Sequence, residues 1–177
     1  MFKFKVLFFV FIFFALSASA TVLKGGVKYD VDSARAASFE NVQYKIDISQ
    51  YEEYLFDKDF EKHKKKGVIS FFKNRGKFIT IFSDGEYCIS YSNMRNPDFY
   101  YDEKGNLYSL GFTEYKRGYP KRYLYYDTKG NLENIAFNVS PRETYIFNLD
   151  KTLLFHWIGS NGYDEKGELT FTRYSFL

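Results

Sequence analysis

Downstream of Gly67, short runs rich in Val, Ile, Phe and Tyr alternate with compact polar turns that carry glycine. That pattern predicts an antiparallel β-meander. The first hairpin pairs residues 68–72 with 77–82 across Lys73, Asn74, Arg75 and Gly76. The next turn falls at Ser83, Asp84 and Gly85, and residues 86–92 run back toward Asn96 and Pro97. Upstream the pattern is mixed. Val42, Tyr44, Ile46 and Ile48 alternate with polar residues and predict a half-buried strand. Ser49 and Glu52 form a capping-box pair, and Lys62, Lys64, Lys65 and Lys66 crowd the end before Gly67, which predicts a helix with Tyr51, Leu55 and Phe60 as an incomplete buried stripe, interrupted by an irregular stretch at 57–62. Asp32 or Ser33 ahead of Ala34, Arg35, Ala36 and Ala37 predicts a shorter capped helix.

One heptad recurs. Tyr101, Asp102, Glu103, Lys104, Gly105, Asn106 and Leu107 return as Tyr126, Asp127, Thr128, Lys129, Gly130, Asn131 and Leu132, and again as Tyr163, Asp164, Glu165, Lys166, Gly167, Glu168 and Leu169. Degenerate relatives run over residues 72–78 and 147–153, the latter with Lys151 in the glycine slot. The repeat is conformational: Asp bonds the backbone two residues on, and glycine takes the left-handed site of a bulged hairpin. Asp102, Gly105, Asp127, Gly130, Asp164 and Gly167 are therefore read as structural turn residues, and Lys151 as a residue at positive φ or in a different turn. The spacing between successive glycine slots shortens from 29 to 16 residues, unlike a strict solenoid. The expected fold is mainly β (α+β at the N-terminus): a twisted antiparallel meander of repeated hairpins, with one or two short N-terminal helices on one face or end.

This heptad resembles the YD repeats of Rhs-type bacterial surface and toxin proteins and, more loosely, the MORN-variant repeats of small bacterial proteins. The likeness runs from about Phe72 onward and is clearest at Asp102, Asp127 and Asp164. It implies an aromatic-rich hairpin array acting as shell, scaffold or binding surface, with no catalytic residues to carry over. The chain differs from the Rhs proteins in its small size and shortening period.

The beginning of the chain reads differently. Lys3 and Lys5 precede an apolar run at 6–16, followed by Ser17, Ala18, Ser19 and Ala20, the layout of a secretory signal peptide cleaved after Ala20. The run is too short for the ~20 residues of a membrane-spanning helix. The expected organisation is a signal peptide at 1–20, an N-terminal helical and strand segment at 21–66, and a hairpin region at 67–177 forming one domain with it. No stable membrane span is expected after cleavage, and the destination is the periplasm, the cell surface or the medium. Cys88 is the single cysteine, so stability must come from packing rather than a disulfide. The formal charge of +3 argues against a nucleic-acid partner.

Candidate chemistry is sparse. Cys88 and His156, with Asp84 or Asn161 as orienting group, are the only nucleophile and base pair to weigh. Alternation places Cys88 with Ser90 and opposite Tyr87, Ile89 and Tyr91, away from the main core. No spacing suits zinc, and the turns lack the alternating ligands of a calcium loop, so no metal or cofactor is expected. The run from Lys62 through His63 to Lys66 reads as a solvated helix end. Tyrosines abound between residues 100 and 126, and strict alternation cannot send them all to one side. Tyr115, Tyr119 and Tyr123, flanked by Lys116, Arg117, Lys121 and Arg122, are the candidate binding surface. The alternative for these rings is cross-strand pairing within a sheet covered on both faces. Trp157 is read as core. The expectation is a non-enzymatic binding or scaffold module that recognises a protein or envelope glycan. An exported hydrolase using Cys88 and His156, or a secreted inhibitor or immunity-like protein that offers an edge strand, are the alternatives.

Overall fold

The computed structural model describes residues 29–63, 70–74, 76–82, 84–94, 97–114 and 117–172. The leader, Lys64 to Lys66, Tyr115 and Lys116 lie outside these. The described chain is mainly β. Eleven strands form one antiparallel sheet in sequence order: β1 (Ser70–Asn74), β2 (Lys77–Ile81), β3 (Tyr87–Tyr91), β4 (Asp98–Tyr101), β5 (Leu107–Thr113), β6 (Lys121–Asp127), β7 (Leu132–Ser140), β8 (Glu143–Asn148), β9 (Leu153–Ile158), β10 (Asn161–Tyr163) and β11 (Leu169–Thr172). The meander read from the sequence is present, with boundaries shifted by a residue or two.

The repeat sets the register. Tyr101 pairs with Leu107, Tyr126 with Leu132, Phe147 with Leu153 and Tyr163 with Leu169, each beside a one-residue bulge. In every turn the leading Asp or Asn side chain accepts from backbone N–H groups inside the turn: Lys104 and Asn106 donate to Asp102, Lys129 and Asn131 to Asp127, Lys166 and Glu168 to Asp164, and Thr152 to Asn148. The glycine-slot residues hold φ near +80°, and Lys151 adopts φ +67° in the same slot, a left-handed backbone for a residue with a side chain.

The helices pack on one face. α1 (Val31–Phe39) is capped by Asp30, whose carboxylate accepts from the Ser33 backbone while Ser33 Oγ accepts from the Asp30 N–H. Its buried Ala34 joins Phe137, Tyr145, Phe147 and Leu153. The strand expected at 42–48 does not form; the segment contributes one isolated bridge, Lys45 with Asn131. The helix expected from Ser49 is instead a 3₁₀ helix, Ser49–Tyr54, followed by the four-residue α2 (Phe60–His63). Backbone chemistry explains the difference. The Leu55 carbonyl accepts from Leu107 N–H and the Asp57 N–H donates to Gly105, so the groups an α-helix would use internally are bonded to a hairpin turn. Leu55 is exposed, while Tyr51 and Phe60 pack on the core.

The core therefore has two sides. On the helix face, Ile79, Ile89, Phe99 and Leu110 form one cross-strand row beneath Tyr51, Tyr54 and Phe60. On the other face, Cys88, Tyr100, Tyr123, Tyr125, Ala136, Ile146 and Trp157 form a second buried cluster. Among the described residues no further layer covers it, and its large rings lie over one another and over glycines. Trp157 is core as expected, seated on Gly162 of the neighbouring strand.

Candidate functional site

The loop between β5 and β6 is where the candidate binding residues collect. Tyr119 is exposed, its bond to Pro120 is cis, and the Lys121 ammonium lies 5.3 Å from its ring centroid. Arg117 is exposed nearby. Tyr123 does not join them. It is 6 % exposed and points to the opposite face, where its hydroxyl donates to Asp98 at 2.6 Å and meets Tyr100 Oη at 3.1 Å. The expected outward row of tyrosines is thus corrected. β-Alternation sends Tyr123 and Tyr125 to a face that is itself a core, so cross-strand packing claims these rings, and burial pushes both hydroxyls well above the ordinary tyrosine range.

Arg122 is half-buried and structural. Its guanidinium forms a two-pronged pair with Glu114, Nε to Oε2 at 2.8 Å and Nη2 to Oε1 at 2.7 Å. Its Nη1 donates to the carbonyls of Ser38, at 3.2 Å, and Glu40. Those carbonyls are the open end of α1, where positive charge is favoured. Arg122 thereby locks the helix terminus to the hairpin base.

A cavity of about 370 Å³ opens between the two elements. It is lined by Tyr29, Ala37, Glu40, Asn41, Glu114, Pro120, Arg122 and Phe137. Tyr29 and Phe137 meet edge to face, with ring centroids 5.1 Å apart, and form its aromatic wall. Glu40, Asn41 and Glu114 supply polar groups, and Asn41 holds φ +51° at the chain's turn out of α1. The volume falls in the ~300–1,000 Å³ range of small-ligand sites, and the lining joins two aromatic rings to the four polar or charged side chains of Glu40, Asn41, Glu114 and Arg122. Composition gave no signal for this cavity, because its walls come from three separated stretches.

The structure does not bring Cys88 and His156 together. Cys88 pairs with Thr80 and Tyr100 on the Tyr123 face, whereas His156 pairs with Tyr145 on the helix face. The His156 ring stacks on Tyr145 with centroids 4.0 Å apart, and its Nε2 lies 2.9 Å from Glu143. Cys88 lies on the face opposite Tyr87, Ile89 and Tyr91, as alternation predicts, but that face is buried too. Burial, then the nearby Asp98 charge, push its thiol well above the ordinary range, away from the thiolate a nucleophile requires.

A polar cluster missed by sequence reasoning lies under α2. Asp57 Oδ2 sits 2.8 Å from His63 Nδ1 and accepts from Tyr87 Oη at 3.0 Å, with all three side chains buried. The run of lysines around His63 predicts a solvated helix end, yet His63 is buried. Its pairing with Asp57, six residues earlier, carries no sequence signal. The cluster ties the N-terminal segment to β3.

Among the described residues no group of His, Cys, Asp and Glu side chains is arranged to hold a metal ion, and no helix is long and apolar enough to cross a membrane. Comparison with known proteins finds no matching family model, no matching curated protein and no matching solved structure.

Proposed function

We propose that the chain is an exported, non-enzymatic binding or scaffold module of the cell envelope or extracellular space, and that it recognises a glycan at the base of the β5–β6 hairpin. The observation that carries this reading is the cavity walled by Tyr29 and Phe137 and edged by Glu40, Asn41 and Glu114. Sugars present an apolar face of C–H groups and a rim of hydroxyls. Aromatic rings take the first, and carboxylates and amides take the second. The exposed Tyr119 extends the aromatic surface beyond the cavity mouth, with Arg117 and Lys121 beside it. The separation of Cys88 from His156 supports binding over hydrolysis, and the YD-like heptads support a scaffold whose repeats do no chemistry.

Co-sedimentation with insoluble envelope polysaccharide tests the reading. The mature protein should pellet with the polymer, and Tyr119→Ala combined with Glu40→Ala should lower the pelleted fraction at least ~fivefold without shifting the unfolding midpoint. Equal pelleting of both proteins would exclude this surface. Cell fractionation with N-terminal sequencing tests the export: recovery of a chain that begins at Thr21 outside the cytoplasm is expected.

A further inference from the structure

The repeated turns are built alike but are not covered alike. At the first, Leu107 N–H donates to the Leu55 carbonyl at 2.9 Å and Asp57 N–H donates to the Gly105 carbonyl at 2.9 Å. At the second, Leu132 N–H donates to Tyr44 and Ile46 N–H donates to Gly130, both at 2.8 Å. Each turn thus receives three residues of the N-terminal segment through a single antiparallel bridge, centred on Phe56 opposite Asn106 and on Lys45 opposite Asn131. The turn at 148–152 is covered by α1 instead, through Arg35 Nε to the Lys151 carbonyl at 2.9 Å and the Lys151 ammonium over Phe39.

The turn at 164–169 has the same internal bonds, Asp164 N–H to the Glu168 carbonyl and Gly167 N–H to the Asp164 carbonyl, both at 3.0 Å, and its glycine has φ +79°. α1 touches it through Arg35, whose Nη2 donates to Glu165 Oε1 at 3.0 Å, but no described segment bonds its backbone from outside the sheet. The leucine that closes each heptad is 7 % exposed at Leu107, 1 % at Leu132 and 5 % at Leu153, but 57 % at Leu169. A Cβ at Gly105 would strike Phe60 and one at Gly130 would strike the Ile46 carbonyl, whereas one at Gly167 would meet no atom within 4 Å. Outside the sheet, the Leu169 N–H and Gly167 carbonyl have no backbone partner among the described residues.

We propose that the turn at 164–169 is a docking site for an extended peptide strand of a partner protein with a basic residue at its centre, seated as residues 44–46 are seated on the sister turn. The molecule itself shows the mode of binding twice. The basic centre follows from the change of side chain at the sixth position of the heptad. Asn106 and Asn131 fold back and donate to Asp102 and Asp127, at 3.1 Å and 2.9 Å, which a carboxylate cannot do. Glu168 fills their slot with an exposed negative charge opposite the centre of an incoming strand. Apolar residues on either side of the basic one supply the cover that Leu169 lacks, as Ile46 and Val42 do for Leu132.

A blocked synthetic peptide of residues 42–48, titrated into the ¹⁵N-labelled chain, tests the proposal. The chain's own segments hold their turns at an effective concentration of about millimolar, so added peptide is directed to the uncovered turn. Saturable amide shifts at Lys166, Glu168, Leu169 and Thr170 are expected, with little change at Asn106 and Asn131. Lys45→Glu in the peptide should weaken binding at least ~threefold, and Glu168→Lys in the protein should reverse the preference between the two peptides. Leu169→Asp, at an exposed position, should weaken binding by about tenfold or more. Absence of shifts, shifts centred on the sister turns, or an unchanged preference with Glu168→Lys would overturn the proposal. Concentration-dependent shifts of the same amides without peptide would assign the site to a second copy of this chain and overturn it equally.

Discussion

The Tyr123 ring lies across Gly111 on the neighbouring strand, so that a Cβ at position 111 would collide with the phenol and its hydroxyl. Gly111 thereby opens the slot that lets Tyr123 reach Asp98 and Tyr100 within a closely packed face. Gly111→Ala is expected to destabilise the fold by about 1–3 kcal/mol through overpacking. Urea unfolding monitored by tyrosine fluorescence measures it, and a midpoint equal to the parent's would contradict the arrangement.

The cluster of Asp57, His63 and Tyr87 leads to a second expectation. Tyr87→Phe removes one donor from a buried carboxylate and should cost about 1–3 kcal/mol, and His63→Ala should cost at least as much because it also leaves a cavity. Hydrogen exchange should quicken selectively in the amides of α2 and β3. A uniform change across the sheet would show that the cluster does not fasten this corner.

Two glycines in identical turns should respond unequally to the same substitution. Gly167→Ala places a side chain at positive φ in open space and should cost about 1–2 kcal/mol from backbone strain alone. Gly130→Ala has the same strain and also drives a methyl group into the Ile46 carbonyl. Its cost should exceed that of Gly167→Ala by at least ~1 kcal/mol. Parallel thermal melts of the two variants decide it, and equal losses would mean that the segment at 44–46 yields without penalty.

Acid should act on the turns. Burial by itself raises the carboxyls of Asp102 and Asp127, but hydrogen bonds from Asn106 and Lys104 in one and Asn131 and Lys129 in the other outweigh it and hold both below the usual aspartate range. A carboxyl whose pKa is lower when folded than its unfolded value of about 3.9 stabilises the fold fully above that value, and the contribution is lost as pH falls through the folded pKa. Unfolding midpoints should hold between pH 5 and 7 as far as these groups are concerned and drop below about pH 4. Asp102→Asn with Asp127→Asn should flatten that acid limb, and an unchanged limb would remove these turns as its cause.

Cys88 offers a simple check on the second core. Its buried thiol should resist a thiol-specific reagent in the native protein and react fully once unfolded by urea. Fast labelling of the native state would show that the face carrying Tyr100, Tyr123 and Trp157 is open to solvent.

Much of the sheet was legible in the sequence because the heptads mark turns with residues whose conformational demands are local: a side-chain acceptor at Asp102, a left-handed site at Gly105, an inward leucine at Leu107. Even the exception, Lys151 in a glycine slot, was visible. The N-terminal segment was harder to read because its conformation is set by what it touches. The alternation from Val42 to Ile48 signals a strand, yet these residues form no strand and pair with the sheet only where Lys45 bridges Asn131. The capping pair of Ser49 and Glu52 signalled a helix that Leu55 and Asp57 cut short by bonding elsewhere. The tyrosines misled for a related reason: a sheet with both faces packed leaves period-two alternation without an outside. The cavity, assembled from Tyr29, the end of α1 and the β5–β6 hairpin, has no sequence signature.

Arg35 reaches Glu165, 130 residues further along, while residues 44–46 and 55–57 rest on turns formed progressively earlier in the chain. The segment at 30–57 is thus synthesised before every turn it rests on, and its seating waits for those later strands. Such long-range closure makes completion of the fold slow relative to zipping of the hairpins themselves. A nascent chain interrupted before β10 would lack the acidic anchor for α1, so the C-terminal hairpin and the first helix hold each other in place.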